Sequence, residues 1–94
     1  MNVDIMPLAR DDVDQTLYYI ATDDPSAADR LLDGITDKLR QLGSQPYSGM
    51  ETIVGRRVYR KVYVRPYVIY YRVLRDRVVI MRVLHERMAT GRQL

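Results

Sequence analysis

The residues of this sequence best suited to chemistry are cations that stand among tyrosines in its second half. Arg72 and Arg82 lie inside two segments rich in Val, Ile and Tyr, and Tyr70 precedes the first of these arginines. Arginine binds phosphate through paired N–H groups, and a tyrosine ring can stack on a base. The set therefore predicts a surface for an anionic partner. The alternative is cross-strand support, in which arginine stems cover apolar neighbours.

His85 is the one histidine of the chain, and Arg87 follows it closely. An imidazole beside basic groups can act as a general acid or base near neutral pH. A histidine at the end of a strand is more often a hydrogen-bonded structural residue. Strand alternation favours that second interpretation, because it places His85 with Val79, Met81 and Val83 on the face expected to be in the core.

Several classes of function lack their sequence motifs. No phosphate-binding glycine loop, serine-hydrolase elbow or zinc-protease motif occurs, and one histidine without cysteine cannot build a standard structural zinc site. No apolar run is long enough to span a membrane, and the first residues lack the features of a signal peptide. We therefore expect a cytoplasmic protein with no metal, no cofactor and no classical metabolic activity.

Charge is divided unequally between the two halves of the chain. Residues 1–55 carry four basic and ten acidic side chains, a net charge of −6, whereas residues 56–94 carry eleven basic and two acidic ones, a net charge of +9. A fold that gathers the second half into one sheet would present a positive surface, attractive to phosphate or to an acidic protein segment. The same excess of basic side chains would be found if the arginines only keep the strands soluble and prevent sheet edges from pairing with other chains.

Apolar spacing predicts a helical first half and a second half of strands. Apolar residues recur three to four apart before Gly43, whereas short segments dense in Val, Ile and Tyr follow Gly55. Residues 45–55, which hold proline, serine and glycine, are predicted to form a loop. The fold class is α+β, with a helical hairpin on one face of a sheet that includes a three-stranded antiparallel meander. Within a single domain of residues 1–94, the predicted order is strand 1–6, helix 8–22, helix 25–42, strands 57–64, 67–74 and 78–85, and a basic tail 86–94.

The arginines predict which face of this sheet is open. Burying an unpaired arginine costs several kcal/mol, so Arg72 and Arg82 should avoid the helix-covered face. Their shared face is then the open one, together with Tyr70 and with Arg60 from the preceding strand.

Two segments, YVIYYRV and VVIMRVLHER, follow each other across a short charged turn. Together they resemble the C-terminal signature of ParE toxins in the RelE/ParE superfamily. Ala9, Asp12 and Tyr19, and the step from Pro46 to Gly49, are similar to that family as well. The resemblance implies a toxin of a type II toxin–antitoxin system. It also implies an antitoxin, a small DNA-binding protein with a flexible tail that folds onto the toxin, so that operator DNA is reached only through the antitoxin.

The two branches of the superfamily imply different targets. The ParE branch implies inhibition of DNA gyrase, and the RelE branch implies ribosome-dependent, metal-independent cleavage of mRNA. No tyrosine follows Tyr71, Glu86 follows His85, and Val68 stands where RelE-type enzymes carry an arginine. We therefore expect a gyrase inhibitor. The alternatives are an endoribonuclease that acts through Arg60, Arg82, His85 and Arg87, and a non-toxic module that has kept only its antitoxin-binding surface.

Two groups of binding residues are predicted on this basis. Target contacts are expected at Arg60, Tyr70, Arg72, Arg82, Arg87 and Arg92. Antitoxin contacts are expected in the groove between helices and sheet, at Val13, Leu17, Ile20, Leu31 and Ile35.

Overall fold

Two helices follow a short first strand in the computed structural model, which describes residues 1–89 and residue 94. Helix α1 spans Pro7–Asp23 and helix α2 spans Pro25–Ser44, so both predicted helices are present, with ends that differ from the prediction by at most two residues. Each begins with a proline, whose missing N–H is not needed in a first turn. Asp24 separates them and caps α2, because its carboxylate accepts the N–H of Ala27 at 3.1 Å. Neither helix of the described chain has the length and apolarity to cross a bilayer.

Both helices pack on one face of a five-stranded sheet whose strand order is β1-β5-β4-β3-β2. The edge strand β1 runs parallel to β5, and the other neighbouring pairs are antiparallel. The last three strands match the predicted meander closely. The strands are β1 (Asn2–Ile5), β2 (Met50–Val54), β3 (Arg57–Val64), β4 (Tyr67–Val73) and β5 (Arg77–His85), followed by a 3-10 turn at Glu86–Met88.

Strand β2 corrects the prediction that residues 45–55 form a loop throughout. It pairs with β3 from Met50↔Lys61 to Val54↔Arg57. Gly55, with φ of +63°, makes the tight turn between them, a backbone conformation that glycine adopts without a steric cost. Glycines on both sides of this short segment concealed its strand character.

Strand β5 contains a bulge that corrects the predicted face assignment. Tyr70 pairs with Arg82 but Tyr71 pairs with Ile80, so Met81 is an extra residue. An extra residue changes the phase of the alternation. As a result Val78 and Ile80 belong to the core beneath the helices, in place of the predicted Val79 and Met81. Beyond the bulge, Val83 lies on the helix-covered face as predicted.

The core lies between this sheet face and the apolar stripe of α2. Ile35 and Leu42 of α2 and Ala9 of α1 pack there against strand residues of β4 and β5. Burying a side chain such as Leu42 contributes roughly 1.5–3 kcal/mol. The strand residues of this cluster are Ile69, Tyr71, Val78, Ile80 and Val83.

Tyr71 fixes the segment between α2 and β2 to the sheet. Its side chain is fully buried, its hydroxyl donates to the Pro46 carbonyl at 2.8 Å, and the N–H of Gly49 donates to the same hydroxyl at 2.8 Å. One phenol of the central strand therefore helps to fix the segment that leads into β2.

Candidate partner- and target-binding surfaces

A cleft opens between α1 and the far half of β5, and we call it the α1–β5 cleft. It exists because β1 pairs with β5 only as far as Ile80, after which the chain turns into α1 through Met6, whose N–H donates to the Ile80 carbonyl at 3.0 Å. Its volume is about 370 Å³. The polar side chains around it are Asp12, Gln15, Thr16, Tyr19, Tyr67, Arg82 and His85.

Asp12 of α1 holds Arg82 at the rim of this cleft. The Asp12 carboxylate accepts from Arg82 Nε at 2.7 Å and from a terminal guanidinium nitrogen at 2.9 Å, and it also accepts the N–H of Val83 at 3.0 Å. The hydrogen bond to Asp12 raises the pKa of Arg82 above its ordinary value, with the negative charge of Asp12 adding to it against the effect of burial. Arg82 is the register partner of Tyr70, as the predicted face requires, but its guanidinium is bound to Asp12 of α1 and is not part of an open arginine surface.

Tyr67 and His85 stand side by side at the open end of the hairpin formed by β4 and β5, far from the turn that joins the two strands. They are register partners, and their rings meet edge to face with centroids 5.4 Å apart. The Nδ1 atom of His85 accepts the N–H of Arg87 at 3.1 Å, so a neutral imidazole carries its proton on Nε2. His85 thus caps the 3-10 turn, and the structural interpretation accounts for one of its two nitrogens.

Tyr67 lines the cleft but was not among the predicted site residues, although the predicted strand boundaries contained the information needed to find it. A hairpin of strands 67–74 and 78–85 places its first and last residues opposite each other. Tyr67 and His85 could have been paired on that ground alone. Asp12 carried no such signal, because its partner Arg82 is 70 residues away.

Tyr67 is expected to ionise above pH 10.0. Burial raises the pKa of its phenol above the ordinary value of 10.0, and repulsion from the Tyr19 phenolate adds to the effect. Because the folded state favours the protonated phenol, this stabilisation is complete below pH 10 and is lost as the pH rises through the folded-state pKa. The ¹³Cζ resonance that disappears in Tyr67→Phe should have its titration midpoint above 10.0. A midpoint at or below that value would contradict the assignment.

Arg60 corrects a second face prediction, because it lies on the same side of the sheet as Tyr71, its register partner. Its guanidinium donates to the carbonyl oxygens of Tyr47 at 3.1 Å and Gly49 at 2.8 Å, and it lies 3.5 Å from the Glu51 carboxylate. The guanidinium carbon is also 5.1 Å from the centroid of the Tyr47 ring. Arg60 therefore holds the segment before β2 and is not part of an open arginine surface.

Arg72 and Tyr70 do lie on the face away from the helices, but with different accessibility. Arg72 is partly buried over Tyr59, its guanidinium carbon 5.9 Å from the ring centroid. Tyr70 is only 5% exposed and its hydroxyl donates to the Ala89 carbonyl at 3.3 Å, so it is poorly placed for the predicted target contact. Arg87 is exposed. The predicted contact Arg92 lies outside the described residues.

The predicted antitoxin contacts are divided between two apolar grooves. Val13, Leu17 and Ile35 line a groove of about 290 Å³ between α1 and α2, which we call the interhelical groove. Ile20 and Leu31 line a second one of about 380 Å³ beside the β3–β4 turn. Ile35 is 4% exposed and belongs to the core, so it can offer a partner only the floor of its groove.

Comparison with known proteins assigns the chain to a family. The family model described as ParE toxin of type II toxin-antitoxin system, parDE, matches residues 3–90. The chain belongs to the ParE toxin family. This ParE-family chain is 34% identical over 85 residues to Toxin RelE3 of Caulobacter vibrioides, covering 89% of this chain and 92% of that protein. It also shares its fold with the chromosomal ParDE TA system from P. aeruginosa, at a TM-score of 0.72 and 18% identity over 90% of this chain and 95% of the other.

Membership in the family establishes the general role of this ParE-family protein. It is a toxin of a type II toxin–antitoxin system within the RelE/ParE superfamily, and a cognate antitoxin is its partner. The α+β fold predicted from the sequence is confirmed.

Proposed function

We propose that this ParE-family toxin inhibits DNA gyrase by binding to it, and that its antitoxin neutralises it. The observation that carries the proposal is the match of the ParE toxin family model over residues 3–90. The arrangement of the basic groups agrees with a non-catalytic role. Arg60 is bound to the segment before β2 and Arg82 to Asp12 of α1, so neither is positioned to stabilise charge on a shared phosphate.

The interhelical groove is the proposed seat of the antitoxin tail. Val13, Leu17, Leu32 and Leu39 supply an apolar lining, and Leu32 is 44% exposed although it is a large apolar residue. Amphipathic segments bind such grooves through side chains spaced at helical intervals. Arg10 and Asp14 at the rim would fix the orientation of the tail more than its affinity.

Purified toxin is expected to block ATP-dependent supercoiling of relaxed plasmid by gyrase, and added antitoxin should restore it. Arg87 is the test residue because it is exposed and lies next to the α1–β5 cleft. Losing a hydrogen bond to a charged group costs about 1.5–3 kcal/mol, so Arg87→Glu should weaken inhibition roughly tenfold or more.

Arg30→Glu is the matched control, because Arg30 is equally exposed but lies on α2. It should leave the inhibitory concentration within about twofold of the wild-type value, well under the tenfold that corresponds to 1.4 kcal/mol. Unimpaired supercoiling at high toxin concentration would exclude gyrase as the target.

A ribosome-dependent endoribonuclease is the second candidate, and the α1–β5 cleft is the observation that favours it. There Tyr67, His85 and Arg82 combine a phenol, an imidazole and a cation around one cavity. Primer extension on translated mRNA should then show cuts that disappear in both His85→Ala and Tyr67→Phe. If neither gyrase nor mRNA is affected and growth continues without antitoxin, the chain is a non-toxic antitoxin-binding module.

A further inference from the structure

Five arginines gather at one end of the sheet, and we call this region the arginine end. Strand β3 begins where β4 ends, so the turn between β2 and β3 lies beside the turn between β4 and β5. Each turn and its flanking strands contribute basic side chains. The members are Arg56, Arg57, Arg72, Arg75 and Arg77.

The register places three of these arginines on the face away from the helices. Arg72 pairs with Val79 of β5, and Arg77 lies two residues before Val79 on the same side. Arg57 lies two residues before Tyr59, the ring over which Arg72 is placed. Neighbouring strands are about 4.8 Å apart, so cations on β3, β4 and β5 span roughly 10 Å.

Few acidic groups balance this charge. Arg77 lies 3.5 Å from Asp4, with both side chains about half exposed, and Asp76 is the one acidic residue in the β4–β5 turn. Arg56, Arg57 and Arg75 are exposed and form no ion pair within residues 1–89. The Arg72 Nε atom is buried and finds no hydrogen-bond acceptor among the residues described. The exposed guanidinium groups of Arg56, Arg57 and Arg75 are thus available to an external anion, whereas the buried Arg72 Nε is not.

We propose that the arginine end binds the phosphate backbone of duplex DNA without sequence preference. Exposed arginines on β3, on β5 and in the two turns complement a surface of closely spaced negative charges, and such contacts carry affinity but no sequence information. Operator recognition remains with the antitoxin. The proposal goes beyond gyrase inhibition and does not depend on it.

The aromatic residues favour duplex DNA over a single strand. Proteins that bind single strands stack bases on exposed aromatic rings. Tyr59, the ring at the arginine end, is 4% exposed beneath the Arg72 guanidinium, so a base cannot reach its face. A duplex keeps its bases stacked internally and presents phosphate outward, which suits this surface.

The test is fluorescence anisotropy with a labelled 20-base-pair duplex and the full-length toxin free of antitoxin. With about four phosphate contacts, affinity should fall roughly 10²-fold between 50 and 200 mM salt. Two duplexes of unrelated sequence should bind alike, and a single strand of equal length should bind more weakly. Arg57→Gln combined with Arg75→Gln should reduce the slope of log affinity against log salt by about two, because each neutralised phosphate contributes about one.

Arg30→Gln combined with Arg40→Gln is the matched control, since it removes the same charge from exposed positions on α2. It should preserve most of the affinity and the slope. The proposal is overturned by absence of binding at 50 mM salt, or by equal losses in both double variants. It is also overturned if a poly-glutamate peptide binds the arginine end more tightly than the duplex. Because supercoiling is measured separately, failure here leaves the gyrase proposal standing.

Discussion

Replacing Gly49 with alanine is expected to lower the free energy of unfolding by about 3–4 kcal/mol, as overpacking is combined with the loss of buried hydrogen bonds. A Cβ atom there would lie 2.8 Å from Cε1 of Tyr71 and 2.9 Å from the Lys61 carbonyl oxygen. Neither neighbour can yield easily, because Tyr71 is fully buried and the Lys61 carbonyl is backbone. Urea denaturation followed by circular dichroism measures the change.

Gly34→Ala provides the control for that experiment. A Cβ at Gly34 would meet one Val64 methyl group at 3.1 Å, and the gain in helix propensity of about 1 kcal/mol offsets the crowding. Its stability should stay near that of the wild type. Tyr71→Phe isolates the contribution of the hydroxyl, since it keeps the ring but removes the partner of Pro46 and Gly49. A Gly49→Ala protein as stable as Gly34→Ala would show that β2 is not held in the way described.

Replacing Asp12 with asparagine is the second large expected effect, a loss of about 2–3 kcal/mol in the free energy of unfolding. Removing one partner of a fully buried pair costs about 3–5 kcal/mol, and the estimate is lower here because solvent screens part of the interaction. The side chains of Arg82 and Asp12 are 19% and 14% exposed. The substitution removes the charge that Arg82 faces and weakens the acceptor for the Val83 N–H.

Asp11→Asn is the matched control for this prediction, because Asp11 is exposed on the same helix turn. Its denaturation midpoint should hardly change. Amide hydrogen exchange adds a local measurement, since the Val83 N–H should exchange faster in Asp12→Asn than in Asp11→Asn. Equal stability of the two variants would mean that α1 is held to β5 by apolar packing alone.

The sequence predicted those parts of the fold that local patterns determine. Helix α2 was located by its apolar stripe and by the Asp24-Pro25 pair at its start, and both features are present in the structure. Strands β3, β4 and β5 were located by their Val, Ile and Tyr content. These elements are recognisable because each has its own period and its own boundary residues.

Other features depend on partners that local patterns do not reveal. The bulge at Met81 lies in a run of apolar residues. A change in which residues face the helices therefore does not alter the hydrophobic pattern of the sequence there. The distant Asp12 explains why the sequence predicts Arg82 on an open surface, because a partner 70 residues away leaves no local signal. Strand β2 could not be predicted from its own residues. It is an edge strand of five residues, and it is stabilised by its pairing with β3.

The parallel pairing of β1 with β5 has a consequence for how the toxin is made. Asn2 pairs with Arg77, so β1 has no partner strand until β5, 75 residues farther along the chain, has been synthesised. Pairings between distant segments are slow to form, and until β5 emerges the side of α1 that packs on β5 remains uncovered on the nascent chain. The α1–β5 cleft likewise cannot exist before then. The chain must therefore be synthesised at least through β5 before it acquires the shape that its partners recognise.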